Sequence, residues 1–222
     1  MIFPTTCAGC GVVAGLSSIP ICTYCHSMLE QPSEDDVRLI LTEAGIEVHL
    51  EHAVSLWYYD LAGPVRILHR KIKYGEGYRL GRMVGRAIAQ RLRLVSNTGP
   101  KSFPDLIVPV PVHPIRALER GFNQSEALAD GIGAELGVEV SPDTLRRTNL
   151  MSSQIQLNRA ERMKNLSGAF MAAKSDSLGE LHILLVDDVI TTGATMLAAI
   201  NILLKCSVNR CSVASMAMVR PT

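Results

Sequence analysis

The sequence predicts an α/β fold, a parallel sheet flanked by helices, preceded by a small N-terminal lobe stapled by metal. Three observations predict it. Apolar residues make up 47% of the 222 positions and aromatic residues only 5%, a balance that fits an aliphatic α/β interior better than an all-β or disordered chain. Near the C-terminus a strand-like run, a helix-like run and a second strand-like run follow one another with no tight hairpin, which implies a right-handed parallel crossover. Four of the six cysteines lie within the first 25 residues as two Cys-x-x-Cys pairs.

Met1 to His26 is rich in Cys, Gly and Thr and too small to fold on an apolar core of its own. Residues 33 to 47 predict a helix with Ser33 as N-cap and acids close behind it, where they suit the helix dipole. From Tyr78 to Val95 the residues Leu80, Met83, Val84, Ala87, Ile88, Leu92 and Val95 recur at helical spacing with arginines opposite, and Asn97-Thr98-Gly99-Pro100 ends that helix. Asp105 to Val110 reads as a buried strand and Gln124 to Leu136 as a helix closed by Gly137. The polar, basic stretch Ser141 to Gly168 reads as a strand followed by a long loop or short helix. Then come a strand from His182 to Val186, a helix from Ala194 to Leu204 and a strand from Cys211 to Val219. The expected division is a finger over 1–30, resembling a double zinc ribbon, an acidic helical connector over 31–62, and the main domain over 63–222.

Net charge is only +1, but its distribution is uneven. From Met28 to Asp60 eight acids face Arg38 alone; from Pro64 to Lys101 ten bases face Glu76 alone. A polyanion is a plausible partner of the second stretch, and mutual pairing of the two stretches is the plainer alternative. The opening residues carry no basic n-region, and no stretch approaches the roughly 18 apolar residues that would span a bilayer. A cytoplasmic protein with no membrane span is therefore expected.

Cys7-Ala-Gly-Cys10 and Cys22-Thr-Tyr-Cys25 stand eleven residues apart. Two thiolate pairs at this spacing close a tetrahedron around zinc, with Gly9 and Gly11 easing the turns. A thioredoxin-like redox pair needs a preceding strand, for which Met1 to Thr6 is too short. The expected ligands of a structural Zn²⁺ are therefore Cys7, Cys10, Cys22 and Cys25, and its binding supplies folding free energy to the lobe. His26 would be a surplus fifth ligand, while Cys206 and Cys211 read as small buried apolar residues.

The main chemical signal is Ile183-Leu-Leu-Val-Asp-Asp-Val-Ile-Thr-Thr-Gly-Ala-Thr195. Apolar residues run into two carboxylates, Asp187 and Asp188, at the end of a strand where open α/β sheets bind ligands. The turn Thr191-Thr192-Gly193-Ala194-Thr195 then opens a helix. Free N–H groups, three hydroxyls and a glycine that admits close approach make a cradle for a phosphate dianion. Phosphate on the turn and hydroxyls on the acids describe a ribose 5-phosphate; helix capping alone would not need two acids and three threonines together.

This block resembles the signature with which type I phosphoribosyltransferases bind 5-phosphoribosyl 1-pyrophosphate (PRPP). The resemblance implies that Asp187 and Asp188 are the catalytic acids holding the ribose hydroxyls, with or without Mg²⁺, and that Thr191, Thr192, Gly193, Ala194 and Thr195 hold the 5-phosphate. Further stretches are Lys71-Ile-Lys73-Tyr74, Val108-Pro-Val-Pro-Val-His-Pro114, Arg120-Gly-Phe-Asn-Gln-Ser125, and Gln154 with Leu157, Arg159, Arg162, Asn165 and Gly168-Ala-Phe170. With the four cysteines they make nearly the whole chain similar to the ComF family, also called ComFC or GntX proteins. That resemblance implies a zinc finger before a phosphoribosyltransferase-type, Rossmann-like domain. It also implies a role in uptake or handling of single-stranded DNA during natural transformation, alongside other DNA-uptake proteins. It sets Val110 to His113 at the pyrophosphate loop, Arg116, Arg120 and Gln124 in the mobile-loop region, and Arg159 and Arg162 after the family's Gln-x-x-Leu. Arg116, Arg120 and Lys73 join the expected phosphate-binding set; Lys205-Cys206 stands where the family often has glycine.

Three functions follow as expectations: a PRPP or ribose 5-phosphate binder in DNA handling, a phosphoribosyltransferase of nucleobase salvage, or a PRPP-sensing regulator without turnover. The parts for an oxocarbenium-like transition state are present, but residues 28 to 63 show no base-reading hood. Gly75-x-Gly77-x-x-x-Gly81 misses the dinucleotide fingerprint by one residue, and no P-loop occurs in this chain.

Overall fold

The computed structural model describes residues 6–13, 19–75, 77–96, 103–148, 169–173 and 178–221. Among them the helices and strands run α1 (Thr23–Ser27), α2 (Glu34–Glu43), β1 (Leu50–Tyr58), α3 (Pro64–Ile72), α4 (Gly77–Val95), β2 (Leu106–Pro109), α5 (Pro114–Arg120), α6 (Gln124–Leu136), β3 (Glu139–Val140), β4 (Leu145–Arg147), β5 (Phe170–Ala172), β6 (His182–Ile190), α7 (Ala194–Lys205) and β7 (Arg210–Met218). Five strands form one parallel sheet in the order β1-β7-β6-β2-β3, and β4 pairs with β5 antiparallel. This is the expected parallel sheet flanked by helices.

Both faces of the sheet are covered. In β6, Leu184 and Val186 join one core with Leu68 of α3, Ile88 of α4 and Leu128 of α6. Ile183 and Leu185 join the other with Leu41 of α2 and Ile200 of α7. A strand buried on both faces reads as an unbroken apolar run, which is why this one is legible in the sequence.

The stretch 31–62 differs from the helical connector expected there. Ser33 does cap α2, through a capping box with Asp36, but the helix stops at Glu43, and Gly45 at φ +97° turns the chain. The chain then enters β1, an edge strand paired to β7 through Val54↔Ala214 and Trp57↔Ala217. Glu51 and His52 in its first half disguise it, and the partner that makes it a strand lies about 160 residues away in sequence.

Helices α4 and α6 lie backbone to backbone. A Cβ on Gly85 would stand 2.1 Å from the Leu128 carbonyl oxygen, and one on Gly131 2.2 Å from that of Arg82. Gly81 of the rejected dinucleotide pattern serves the same packing, since a Cβ there would stand 2.7 Å from Ala127 Cβ.

The acidic stretch finds partners at several places in the chain. Glu34 pairs with Arg38, Glu51 with Arg210 at 3.1 Å, and Glu30 with Arg220, while Arg93 of the basic stretch pairs with Glu135 of α6. Among the described residues no helix is long and apolar enough to cross a membrane.

Strand order also fixes where a ligand can enter. The connection after β2 runs over the α6 face toward β3, and the connection after β6 runs over the α7 face toward β7. Adjacent strands whose chains leave in opposite directions open a crevice at their C-terminal ends.

Candidate functional site

β6 pairs with β2 only as far as Val186↔Pro109, although its pairing with β7 continues to Ile190↔Met218. Asp187 and Asp188 therefore sit where β2 has peeled away, partly exposed on the floor of a cavity of about 490 Å³.

Their surroundings differ. Asp187 Oδ1 accepts hydrogen bonds from Ser125 Oγ at 3.0 Å and from the Asp188 N–H at 2.8 Å. Burial and the charge of Asp188 nonetheless push its carboxyl up to about 8, against the pull of those donors and of Arg147. Asp188 Oδ2 accepts from His69 Nε2 at 2.9 Å, and its Oδ1 from the Val189 N–H at 2.7 Å. Burial opposes ionisation there too, but the bond and charge of His69, helped by Lys73, outweigh it and hold Asp188 below the usual carboxylate range. The two acids are thus pushed in opposite directions, Asp187 toward its neutral form and Asp188 toward its charged one.

His69 is itself held. It is 8% exposed, its Nδ1 lies 3.3 Å from Tyr59 Oη, and the two rings meet edge to face at 86°. Because the Asp188 carboxylate only accepts, Nε2 is the donor. Tyr59 follows β1, and its N–H bonds the Met218 carbonyl at 2.7 Å.

Four cations line the same cavity: Lys73 just past α3, Arg116 and Arg120 on α5, and Arg147 on β4. Burial lowers the pKa of Lys73, with Arg120 and Arg116 adding to the effect and Asp188 opposing it. Burial and Arg116 likewise lower that of Arg147, whose guanidinium lies 5.4 Å from the Phe170 ring centre. Such crowding of like charge is relieved by an anion. Helix α5 buries none of its residues, and the chain after it is tied back by Asn123 Nδ2, which donates to the Val110 carbonyl at 3.0 Å.

At the threonine turn, Thr191 and Thr195 line the cavity and Thr192 is exposed. Gly193 and Ala194 are buried and shape the turn through the backbone: Gly193 sits at φ +72°, and a Cβ there would lie 2.7 Å from Ala44 Cβ. The twelve-residue helix α7 starts at this turn with no side-chain cap, leaving its first N–H groups to a ligand or water.

Asp187, Asp188, Lys73, Arg116, Arg120, Thr191 and Thr195 thus meet in one cavity, with Val110 to Val112 on its wall. Gln154, Leu157, Arg159 and Arg162 lie outside the described residues. Tyr59, His69 and the pocket role of Arg147 were not read from the sequence. His69 stands 119 positions from its partner, and no local pattern links them.

The four cysteines also converge. All four sulfurs lie within 4.8 Å of one another, with Cys10 and Cys22 at 3.7 Å. Zinc bonded at about 2.3 Å to four thiolates needs a tetrahedral edge of about 3.8 Å, so the set fits the ion. Cys7 Sγ accepts the N–H groups of Cys22 at 3.2 Å and Cys10 at 3.5 Å. Burial would raise its pKa, but these donors bring the thiol down to about 6, whereas burial and bonds from its neighbours push Cys25 up to about 12. A bound cation is what would let all four ionise together.

In class, this is a three-layer α/β domain with an acid-floored, cation-walled cavity at its switch point, and an N-terminal four-cysteine cluster that can bind zinc. Its homologues are competence and DNA-utilization proteins. Competence protein F of Haemophilus influenzae is 27% identical over 191 residues, covering 86% of this chain and 80% of the relative. DNA utilization protein YhgH of Salmonella typhi is 29% identical over 199 residues, covering 90% and 78%. Competence protein ComFC of Bacillus subtilis is 34% identical over 128 residues, 56% of this chain and 50% of the relative. No family model matches. Among solved structures, a glutamine PRPP amidotransferase from B. subtilis overlaps with a TM-score of 0.45 and 16% identity over 66% of this chain and 30% of that one, so this chain spans less than a third of its length. A purine phosphoribosyltransferase from Pyrococcus horikoshii overlaps at 0.34 and 18%, over 63% and 74%.

Proposed function

We propose that this chain binds PRPP or another ribose 5-phosphate above Asp187 and Asp188 and acts in the handling of single-stranded DNA during natural transformation. One observation carries the first half: two adjacent acids, an uncapped threonine turn and four crowded cations face one cavity. A vicinal diol gives and takes hydrogen bonds, which suits one carboxyl pushed toward its neutral form and one toward its charged form. The turn offers N–H and hydroxyl donors to the 5-phosphate, and Lys73, Arg116, Arg120 and Arg147 match a pyrophosphate. Mg²⁺, where present, would be held by Asp188 and would neutralise charge on a pyrophosphate.

The second half draws on what the relatives are called and on α4. There Arg79, Arg82 and Arg86 stand exposed beside Tyr78 and Met83 along a groove of about 600 Å³. A cationic groove with an aromatic ring suits a single strand, whose phosphates and bases present those two chemistries.

The decisive experiment is a thermal melt of the protein with PRPP and Mg²⁺. At about 100 times the dissociation constant the ligand should stabilise the fold by about 2.7 kcal/mol, and at the same ligand concentration Asp188→Asn should lose about half of that gain or more. No stabilisation by PRPP or ribose 5-phosphate rejects the pocket assignment.

A second reading, transfer of the phosphoribosyl group to a flat base, is favoured by Tyr59, Leu61 and Val219, which add apolar surface to the cavity lining. It predicts pyrophosphate release with some nucleobase. A screen of the common bases that yields none leaves a binder or a regulator without turnover.

A further inference from the structure

Helix α3 connects the two sites. Its Val65, Leu68 and Ile72 are buried in one apolar core with Cys7, Ala8, Ile21 and Cys25 of the N-terminal lobe. The turn between the first two cysteines rests on the helix start: a Cβ on Gly9 would stand 3.0 Å from Pro64 Cβ and 3.1 Å from Cys25 Sγ, so nothing larger than hydrogen fits without displacement. From the same helix His69 reaches Asp188 at 2.9 Å, and Lys73, the next residue after it, lines the ribose cavity. Nine residues are too few for a helix to be stable by itself, so the place of α3 is set by what packs on it. One of those supports is a lobe too small to hold its shape on apolar contacts alone.

We propose that metal occupancy of the four-cysteine cluster is sensed at the ribose-phosphate pocket through α3. With the metal bound, the Gly9 turn is rigid under Pro64 and keeps His69 and Lys73 aimed at Asp188 and the ligand. With the metal gone, the turn relaxes, α3 shifts, and affinity for a phosphorylated ribose falls while the sheet and the α7 turn persist. This rests on the ribose-phosphate reading above.

The test compares three forms of the full chain: loaded with Zn²⁺, stripped by a chelator that is then dialysed away, and reloaded. Calorimetry with PRPP and Mg²⁺ measures affinity, and hydrogen exchange measures protection of residues 64–73 against that of β6 and α7. Expected are an affinity at least tenfold weaker without zinc, recovery on reloading, and loss of protection confined to the lobe and α3. Gly9→Val keeps all four thiols and guards against wholesale unfolding of the stripped protein. Because the added side chain also presses on Cys25 Sγ, its zinc content is measured first; with one zinc per chain and the fold intact it should bind PRPP at least tenfold more weakly. Equal affinity in the loaded, stripped and Gly9→Val proteins overturns this inference and leaves the pocket assignment intact. If even the zinc-loaded protein ignores PRPP, the pocket assignment fails, and exchange decides the inference alone: protection of 64–73 that does not follow the metal overturns it.

Discussion

Asp187 and Asp188 are adjacent in the chain, yet one is pushed toward its neutral form and the other toward its charged form. Ser125 and a backbone N–H do not offset the burial of the first, while His69 and Lys73 more than offset that of the second. The sign of each effect on stability follows from linkage. Asp187 keeps its proton in the fold up to about 8, so its contribution is full below the ordinary aspartate pKa and is lost as pH rises through about 8. Asp188 does the opposite, contributing above its ordinary pKa of 3.8 and losing that contribution as pH falls through its lowered one. Asp187→Asn should therefore melt higher than the parent at pH 9, by about 2–4 °C for each kcal/mol gained, with little gain at pH 4. Scans at the two pH values check this, and a gain that does not depend on pH contradicts it. Asp188→Asn removes a charged acceptor from the ribose, a loss of about 1.5–3 kcal/mol, so PRPP affinity should fall about 10- to 150-fold by calorimetry.

The secondary-structure elements owe their placement to local chemistry and to close contact. The capping box of Ser33 and Asp36 starts α2, and Ser33→Ala should cost about 1 kcal/mol in a urea titration. The α4–α6 contact has no slack, since a Cβ at Gly131 meets backbone rather than a flexible side chain. Gly131→Ala should destabilise by about 1–3 kcal/mol, more than the same change does at exposed Gly121, where the added Cβ meets nothing within 4 Å but must adopt φ +80°. A midpoint unchanged by Gly131→Ala would mean the helices do not pack this closely. Helix α5 shows the contrary regime: nothing in it is buried, Ile115 and Leu118 face solvent, and two of the pocket's cations ride on it.

For the molecule as a whole, near neutrality conceals an uneven distribution of charge. Acids of the 28–60 stretch pair with Arg38, Arg210 and Arg220, while Arg79, Arg82 and Arg86 stand exposed along α4. If these arginines meet the phosphates of a single strand, removing any one of them should flatten the plot of log affinity against log salt by about 0.7. Arg82→Glu with Arg86→Glu, assayed on an oligonucleotide across a salt series, should show a drop of about 1.4 in slope with PRPP affinity unchanged. An unaltered slope would move the strand to another face.

Periodicity and chain punctuation made the middle and end of the fold legible. The span Tyr78 to Val95 carries a complete amphipathic stripe, Gln124 to Leu136 ends at a glycine in the left-handed region, and β6 is apolar on both sides before its acids, so each announces itself within a few residues. The four cysteines and the aspartate-threonine block were equally visible, because metal and phosphate chemistry needs particular residue types at short, set spacings. Only the tertiary structure decided that β1 joins the sheet, that Tyr59, His69 and Arg147 complete the pocket, and that two adjacent acids meet different surroundings. Those outcomes depend on partners from distant parts of the chain and on their shared exclusion of water, and a hydrogen bond between positions 69 and 188 leaves no trace in the residues around either one.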